Sequence, residues 1–269
     1  MSFPTGPTPP PPSMYPASVP LSPEPSGPGL SEPQRLINTI IAPRKTFEDL
    51  KRNPSWWVPW LITLVCGLAF SVVALQKMDI GRFVQQQNER SPSAQRRLEQ
   101  ATPEQRAQGL AIQITITKVS FYVIPFFGLL WGLIVAAVLM ATFNFLMGAE
   151  IPFQRAMGVV FYSSFTGIFG AILLIISFLV SADPSTIDLG GNPMPTNPAF
   201  FMDPQGNKVL YSLASALDIF KIWWCVLLGL GFATVSNNKK PSVGASLTTV
   251  FIAYGILVMI GLGIKLAFS

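Results

Sequence analysis

The sequence predicts an all-α fold: an integral membrane bundle of five transmembrane helices, with short amphipathic interfacial helices and a disordered, proline-rich N-terminal tail. Two observations predict the bundle. Half of the 269 residues are hydrophobic and only 12% are charged, which is about half the charged share of a typical soluble domain. The apolar residues are also gathered into five long uncharged runs, at 53–76, 119–149, 156–182, 222–238 and 241–264. A spanning helix needs about 20 mostly apolar residues, so each run supplies most or all of one span.

The chain begins with a segment of different composition. Residues 1–33 hold 12 of the 25 prolines and no Lys or Arg. Such a segment cannot bury enough apolar surface to offset the entropy of ordering, so we expect a disordered cytoplasmic tail with polyproline-like stretches. A ligand for a proline-binding module is the alternative. No basic residue flanks the proline run at 9–12, which favours a solvated tail.

Residues 34–53 are predicted to form an amphipathic interfacial segment of two short helices. The first has polar residues on one side and apolar residues at helical spacing on the other, namely Leu36, Ile37, Ile40 and Ile41. Pro43 interrupts this pattern, and Thr46 is interpreted as the N-cap of the second helix. We expect both helices to lie along the cytoplasmic surface; packing of the segment against the bundle is the alternative. The basic residues expected to reach lipid phosphates are Arg44, Lys45, Lys51 and Arg52.

The transmembrane domain is predicted over residues 54–269. Its spans are expected at 56–75, 119–147, 156–181, 217–236 and 245–266. Tryptophan rings prefer the interface between membrane and water. The residues interpreted as interfacial anchors are Trp56, Trp57 and Trp60 in the first span, and Trp223 and Trp224 in the fourth.

The connector at 76–118 contains two predicted helix starts. Ser91 precedes Pro92, and Thr102 forms a capping box with Gln105. The second of these helices is expected to continue into the second span, where Pro125 is a candidate kink. Within that span, Gly128 and Gly132 permit close contact with another helix. The loop at 183–211 contains five prolines, which disfavour regular helix there.

The orientation is predicted from Lys and Arg in the short loops, which prefer the cytoplasmic side. The segment before the first span and the loops after the second and fourth spans are basic, whereas residues 183–211 contain three Asp and one Lys. We therefore expect the N-terminus in the cytoplasm and the C-terminus outside. The connector at 76–118 disagrees, since it carries seven Lys or Arg and lies outside in this orientation.

Two charged residues stand at the start of the fourth span. Asp218 and Lys221 are three residues apart, so on a continuous helix they are neighbours and can pair. We expect an interfacial anchor, in which Asp218 also meets a favourable helix dipole and Lys221 extends to water. The alternative places Asp218 inside the bundle with Asn144 or Tyr162, as a proton or substrate site.

Composition also excludes several functions. The chain has no His, which excludes imidazole ligands and His-based catalysis. Cys66 and Cys225 lie inside predicted spans and are expected to be buried hydrophobes. No metal-ligand cluster or phosphate-binding loop is visible, so we predict no cofactor, no metal and no catalytic residue. The basic residues near the membrane are expected to contact lipid and not nucleic acid.

The chain resembles bacterial members of the Yip1 domain family. The segments that carry the resemblance are IAPRKTFEDL at 41–50, PSWW at 54–57, TPEQ at 102–105, NFLMG at 144–148, FQRA at 153–156, SALDIFKIW at 215–223 and GLG at 229–231. At Lys221 the chain departs from the family pattern, in which a small polar or apolar residue is usual. The resemblance implies five transmembrane helices, and for a bacterial member we expect the inner membrane. Eukaryotic members act in vesicle traffic and bind small GTPases and each other.

Three function classes remain. The favoured one is a non-enzymatic, membrane-organising or protein-interaction component, whose partners are the lipid bilayer, further copies of the chain or other membrane proteins. The alternative is a small-solute transporter or channel component that uses Asp218. It is disfavoured by the single acidic residue in the spans, by the absence of a visible inverted repeat and by the odd number of helices. An enzyme ranks third, because no acid, base or nucleophile can be named.

Overall fold

The computed structural model describes residues 28–89, 91–181, 187, 189, 192–203, 206–237 and 241–267. Residues 1–27 of the predicted tail, and the Lys239–Lys240 pair used for the orientation, lie outside the described residues. The described parts contain eleven α-helices and no strand. The helices are α1 Glu32–Ile41, α2 Pro43–Asp49, α3 Trp57–Lys77, α4 Ile80–Glu89, α5 Pro92–Gln100, α6 Pro103–Met147, α7 Phe153–Ser164, α8 Gly167–Val180, α9 Lys208–Ala216, α10 Ile219–Val235 and α11 Val243–Ala267.

The structure confirms an all-α membrane bundle. In the described parts of the chain, four helical segments are long and apolar enough to cross a membrane: α3, α6, the α7–α8 pair and α11. The α9–α10 pair meets the same criteria only as a unit and is bent by 52° at its break. The bundle therefore has five spans when this bent pair is counted as one.

One end of the bundle is defined by Arg155, at the start of α7. Its Nη1 donates to Asn237 Oδ1 at 2.5 Å, just after α10, and its Nη2 donates to the Lys51 carbonyl at 3.1 Å, just after α2. The backbone N–H of Asn237 also donates to the Ala149 carbonyl at 3.0 Å. These bonds bring three separate connections together. We call this the arm end of the bundle, and the opposite end the far end.

Helices α1 and α2 form a docked arm at this end. Phe47 and Leu50 are fully buried and lie between α7 and α10. Leu50 packs so close to Gly158 on α7, and Phe47 so close to Gly231 on α10, that a Cβ added to either glycine would touch them. Packing against the bundle, the alternative weighed for this segment, is therefore what the structure shows. The predicted N-cap at Thr46 is wrong. Helix α2 begins three residues earlier, at Pro43, because proline fits the first helical position.

Helix α6 is a single element of 45 residues. It begins at the predicted capping box, in which the Gln105 N–H donates to Thr102 Oγ1 and the Thr102 N–H donates to Gln105 Oε1. Pro125 lies inside it. The helix is about 68 Å long, roughly twice the thickness of the hydrocarbon core. Its first turns therefore extend past the far end, where Leu110 and Ile114 pack with α4.

Two of the spans are broken, which the sequence did not predict. The third divides into α7 and α8 at Phe165–Thr166. The fourth begins earlier than expected, at Lys208, and breaks at Leu217–Asp218. The second break has a clear cause: Asp218 has extended backbone angles and caps α10 with its side chain, so the helix restarts at this residue.

Candidate functional site

A cluster of buried charges holds the arm to the bundle. Arg35 on α1 is only 2% exposed, and both its Nε and its Nη2 lie 2.7 Å from Asp49 Oδ2 on α2. Its Nη1 lies 3.3 Å from Glu32 Oε1. Tyr162 on α7 donates its hydroxyl to Glu32 Oε2 at 2.5 Å. We call Glu32, Arg35, Asp49 and Tyr162 the arm cluster. It links both arm helices to the third span.

Two buried threonines complete the connection between α1 and α2. The hydroxyls of Thr39 and Thr46 both donate to the Arg35 carbonyl, at 2.8 and 2.9 Å. Asp49 Oδ1 also accepts the backbone N–H of Leu30 at 3.2 Å. The buried polar groups of the arm therefore have partners, as buried polar groups require.

The charge of Arg35 is secured by its partners. Burial alone lowers the pKa of the Arg35 guanidinium, but the hydrogen bond and charge of Asp49, together with a hydrogen bond to Tyr162, outweigh burial, so the pKa of Arg35 is raised above its ordinary value. The guanidinium is therefore charged at every physiological pH.

Two polar residues of α1 are buried against the protein, whereas two of its apolar residues face outward. Arg35 and Thr39 are buried, whereas Ile37 and Ile41 are 56% and 73% exposed. Residues four apart lie on the same face of a helix. The arm therefore presents an apolar pair outward, beside the exposed Lys45 at the start of α2.

At the far end, Asp218 is a capping residue in the bend between α9 and α10. Its Oδ1 accepts the backbone N–H groups of Phe220 and Lys221 at 3.0 and 3.2 Å. Its Oδ2 accepts the Thr196 hydroxyl at 2.5 Å, and the Ile219 N–H donates to the Thr196 carbonyl. The favourable position at a helix N-terminus that was expected for Asp218 is present.

The expected side-chain pair of Asp218 and Lys221 does not form. Lys221 Nζ donates instead to the Ser215 carbonyl at 3.3 Å. The physical reason is the helix break: Asp218 stands outside α10 as its N-cap, so the two side chains are not neighbours on one helical surface as an i, i+3 pair requires.

The structure also separates Asp218 from its other candidate partners. Asn144 donates to the Ile151 carbonyl and accepts the Ile151 N–H, at 3.0 and 2.8 Å, and so closes the connection after α6 at the arm end. Tyr162 belongs to the arm cluster. Asp218 lies at the other end of α10, whose 17 residues measure about 26 Å. These residues do not form one polar site.

The tryptophans occupy different environments. Trp57 is 54% exposed, as an interfacial anchor requires. Trp56 packs against Phe161 with ring centroids 5.2 Å apart, and Trp60 is 6.3 Å from Trp56. In the fourth span, Trp223 stacks on Phe169 and Trp224 donates its Nε1–H to Ser164. Trp56, Trp223 and Trp224 therefore contact neighbouring helices of the bundle.

A cavity of about 820 Å³ lies between the five spans. Trp60, Trp131 and Phe161 are among its apolar lining residues. Lys221 and Lys265 line it as well, toward the far end. Its volume falls within the range of about 300–1,000 Å³ typical of ligand sites.

These observations define a polytopic, all-α membrane protein with a docked N-terminal arm. The Yip1 domain family model matches residues 37–262, and the chain belongs to this family. It is also similar to membrane protein YknW of Bacillus subtilis (strain 168), with 23% identity over 235 residues, covering 86% of this chain and 90% of YknW. No solved structure gives a significant match.

Several of the motifs quoted above have structural roles. Gly229 and Gly231 admit neighbours too close for a side chain, since an added Cβ would lie 2.7 Å from Leu247 at the first and would collide with Val159 at the second. Asn144 and Arg155 fix the connections at the arm end. The arm cluster was missed by sequence reasoning. Its only local signal is that Glu32, Arg35 and Thr39 share one face of α1.

Proposed function

We propose that this protein is a non-enzymatic, membrane-organising component that acts by associating with another membrane protein through its arm. The observation that carries the proposal is the arm cluster, in which Arg35 is 2% exposed and bonded to Asp49 at 2.7 Å. A buried ion pair is weak evidence of added stability, because desolvation offsets much of the attraction between the charges. It does give a fixed orientation, which an interaction surface needs.

The surface that the arm presents supports association within the membrane interface. Ile37 and Ile41 are exposed, and Arg44, Lys45 and Glu48 are exposed along the adjoining helix. Apolar residues beside mixed charges are typical of a surface that contacts another protein at the level of the lipid headgroups. A non-enzymatic role is further supported by family membership, because Yip1 domain proteins are not known as enzymes.

We also propose the bacterial inner membrane, with the arm end in the cytoplasm and the C-terminus outside. Supporting this orientation, the basic segments at Lys51 and Arg155 lie together at the arm end, and short basic loops prefer the cytoplasm. Topology reporters fused after Gln100 and Ser269 should report an external location. A cytoplasmic signal at either position contradicts the orientation.

The association can be tested by photocrosslinking in native membranes. A photoreactive residue placed at Ile41 should give a protein adduct of defined mass, either with a second copy of the chain or with another membrane protein. The control is Ile252 on α11, which is 58% exposed and should crosslink to lipid alone. Adding Arg35→Met should abolish the Ile41 adduct. A lipid-only pattern at Ile41, or an adduct that persists in the Arg35→Met variant, contradicts the proposal.

A further inference from the structure

The cavity between the spans has two cationic groups at one end. Lys221 Nζ lies 3.3 Å from the Ser215 carbonyl, and Lys265 Nζ lies 3.4 Å from Ser212 Oγ and 5.5 Å from the centre of the Tyr211 ring. Ser212 and Ser215 are three residues apart on α9, so their positions are neighbours on one helical face. Both ammonium groups are therefore held beside the same short helix.

Among the residues that the structure describes, these two charges have only neutral partners. The described residues that line the cavity include no Asp or Glu. The nearby Asp218 carboxylate already accepts three hydrogen bonds, from Thr196 and from two backbone N–H groups. Two ammonium groups beside an apolar space favour an anion at this rim of the cavity.

The interior of the cavity is apolar and partly open. Gly128 on α6 and Gly261 on α11 both line it, and a Cβ added at either glycine would meet no atom within 4 Å. Leu257 and Val258 line the same wall. The space beside these glycines is therefore unfilled by the protein, and it is suited to a hydrocarbon chain.

We propose that the cavity binds one anionic phospholipid, with its phosphate held between Lys221 and Lys265 and an acyl chain lying beside Gly128 and Gly261. The occupant is an amphiphile because the cavity combines a cationic rim with an apolar interior. It is a membrane lipid because all five spans contribute to the walls, which places the cavity at the depth of the bilayer.

The full chain, purified in detergent, can be titrated with lipid and observed by native mass spectrometry. Phosphatidylglycerol should bind at one molecule per chain, and more tightly than phosphatidylcholine with identical acyl chains. The double variant Lys221→Gln, Lys265→Gln should bind phosphatidylglycerol about thirtyfold more weakly, the effect expected of two lysine contacts. The matched control, Arg96→Gln with Arg97→Gln, removes two exposed charges on α5 that do not line the cavity and should leave binding unchanged.

A second pair of variants tests the apolar interior. Gly261→Leu should fill the cavity and weaken binding of both lipids. Gly255→Leu, at a glycine of the same helix that also has open space around it but does not line the cavity, should have no effect. Equal binding of the two lipids by the unmodified chain, or unchanged binding after the double lysine substitution, overturns the proposal. Oleate that binds as tightly, with the same dependence on the lysines, overturns the assignment of a phosphate headgroup.

Discussion

Arg35 is placed by partners that lie far away along the chain. Helical spacing predicted that it shares a face with Thr39, and this face exists. Spacing did not predict that this face points into the protein, because its bonding partners are distant in sequence. Arg35 bonds to Asp49, 14 residues away, and Glu32 bonds to Tyr162, 130 residues away. Local patterns carry no information about such contacts.

Removing one member of the buried ion pair should be more harmful than removing both. Arg35→Met leaves Asp49 buried without its cation, and we expect a loss of about 3–5 kcal/mol. The double variant Arg35→Met, Asp49→Leu leaves no fully buried carboxylate without a cation, because Glu32 is 30% exposed, and it should recover most of that loss. Thermal melts of the single and double variants in one detergent measure the difference. Additive losses would show that the two side chains do not interact.

Asp218 should behave as a helix cap. Asp218→Ala removes the acceptor for two backbone N–H groups and for Thr196, and we expect a loss of about 0.5–2 kcal/mol. Asp218→Asn keeps an oxygen acceptor and should cost less than Asp218→Ala. The control is Lys221→Gln, which should change the melting temperature little because the two side chains are not paired. A Lys221→Gln loss as large as that of Asp218→Ala would contradict the observed geometry.

Among the helices, those with strong local signals were the most predictable. The start of α6 was predicted because Thr102 and Gln105 form a complete capping box within four residues. The break before α10 was harder to predict, because the local sequence around Asp218 fits a continuous helix. The contact that favours the break is with Thr196, 22 residues away. The break between α7 and α8 has no evident signal in the sequence.

The contacts of α10 predict unequal effects for glycine substitutions. Gly229→Ala would place a Cβ 2.9 Å from the Leu247 Cα on α11. Because Cα is a backbone atom, the clash can be relieved only by moving one helix away from the other, and we expect a loss of about 1–3 kcal/mol. Gly128→Ala, which meets open space, should be neutral or slightly stabilising. Thermal melts compare the two variants. Equal losses would show that α10 and α11 are not so closely packed.

At the scale of the whole molecule, the membrane bundle was predictable because hydropathy reports directly on spans. The cavity was not, because its walls come from all five spans, and their relative rotation depends on packing. The docking of the arm was not predictable either. Its helices were predicted from sequence, but the burial of Phe47 and Leu50 at 0% exposure depends on the gap between α7 and α10.

Truncation should separate the tail from the arm. Deleting residues 2–27, whose composition predicts disorder, should leave the melting temperature nearly unchanged. Deleting residues 2–33 also removes Leu30 and Glu32, which bond to Asp49 and Tyr162, and should lower the melting temperature. The sequence analysis predicts a tail that ends at residue 33, and in the structure Leu30 and Glu32 already bond to Asp49 and Tyr162. Equal melting temperatures for the two truncated chains would contradict a role of Glu32 in docking.

The docked arm is the central claim, and an intramolecular crosslink tests it most directly. Glu32→Cys and Tyr162→Cys, in a chain whose Cys66 and Cys225 are replaced by Ala, can be treated in native membranes with a short thiol-reactive crosslinker and analysed by mass spectrometry. The bond of 2.5 Å between the native side chains predicts efficient linkage of the two peptides. A control pair, Ile37→Cys with Tyr162→Cys, uses the outward face of α1 and should link poorly. Failure of the first pair to crosslink, or equal linkage in both pairs, would contradict the docked arm.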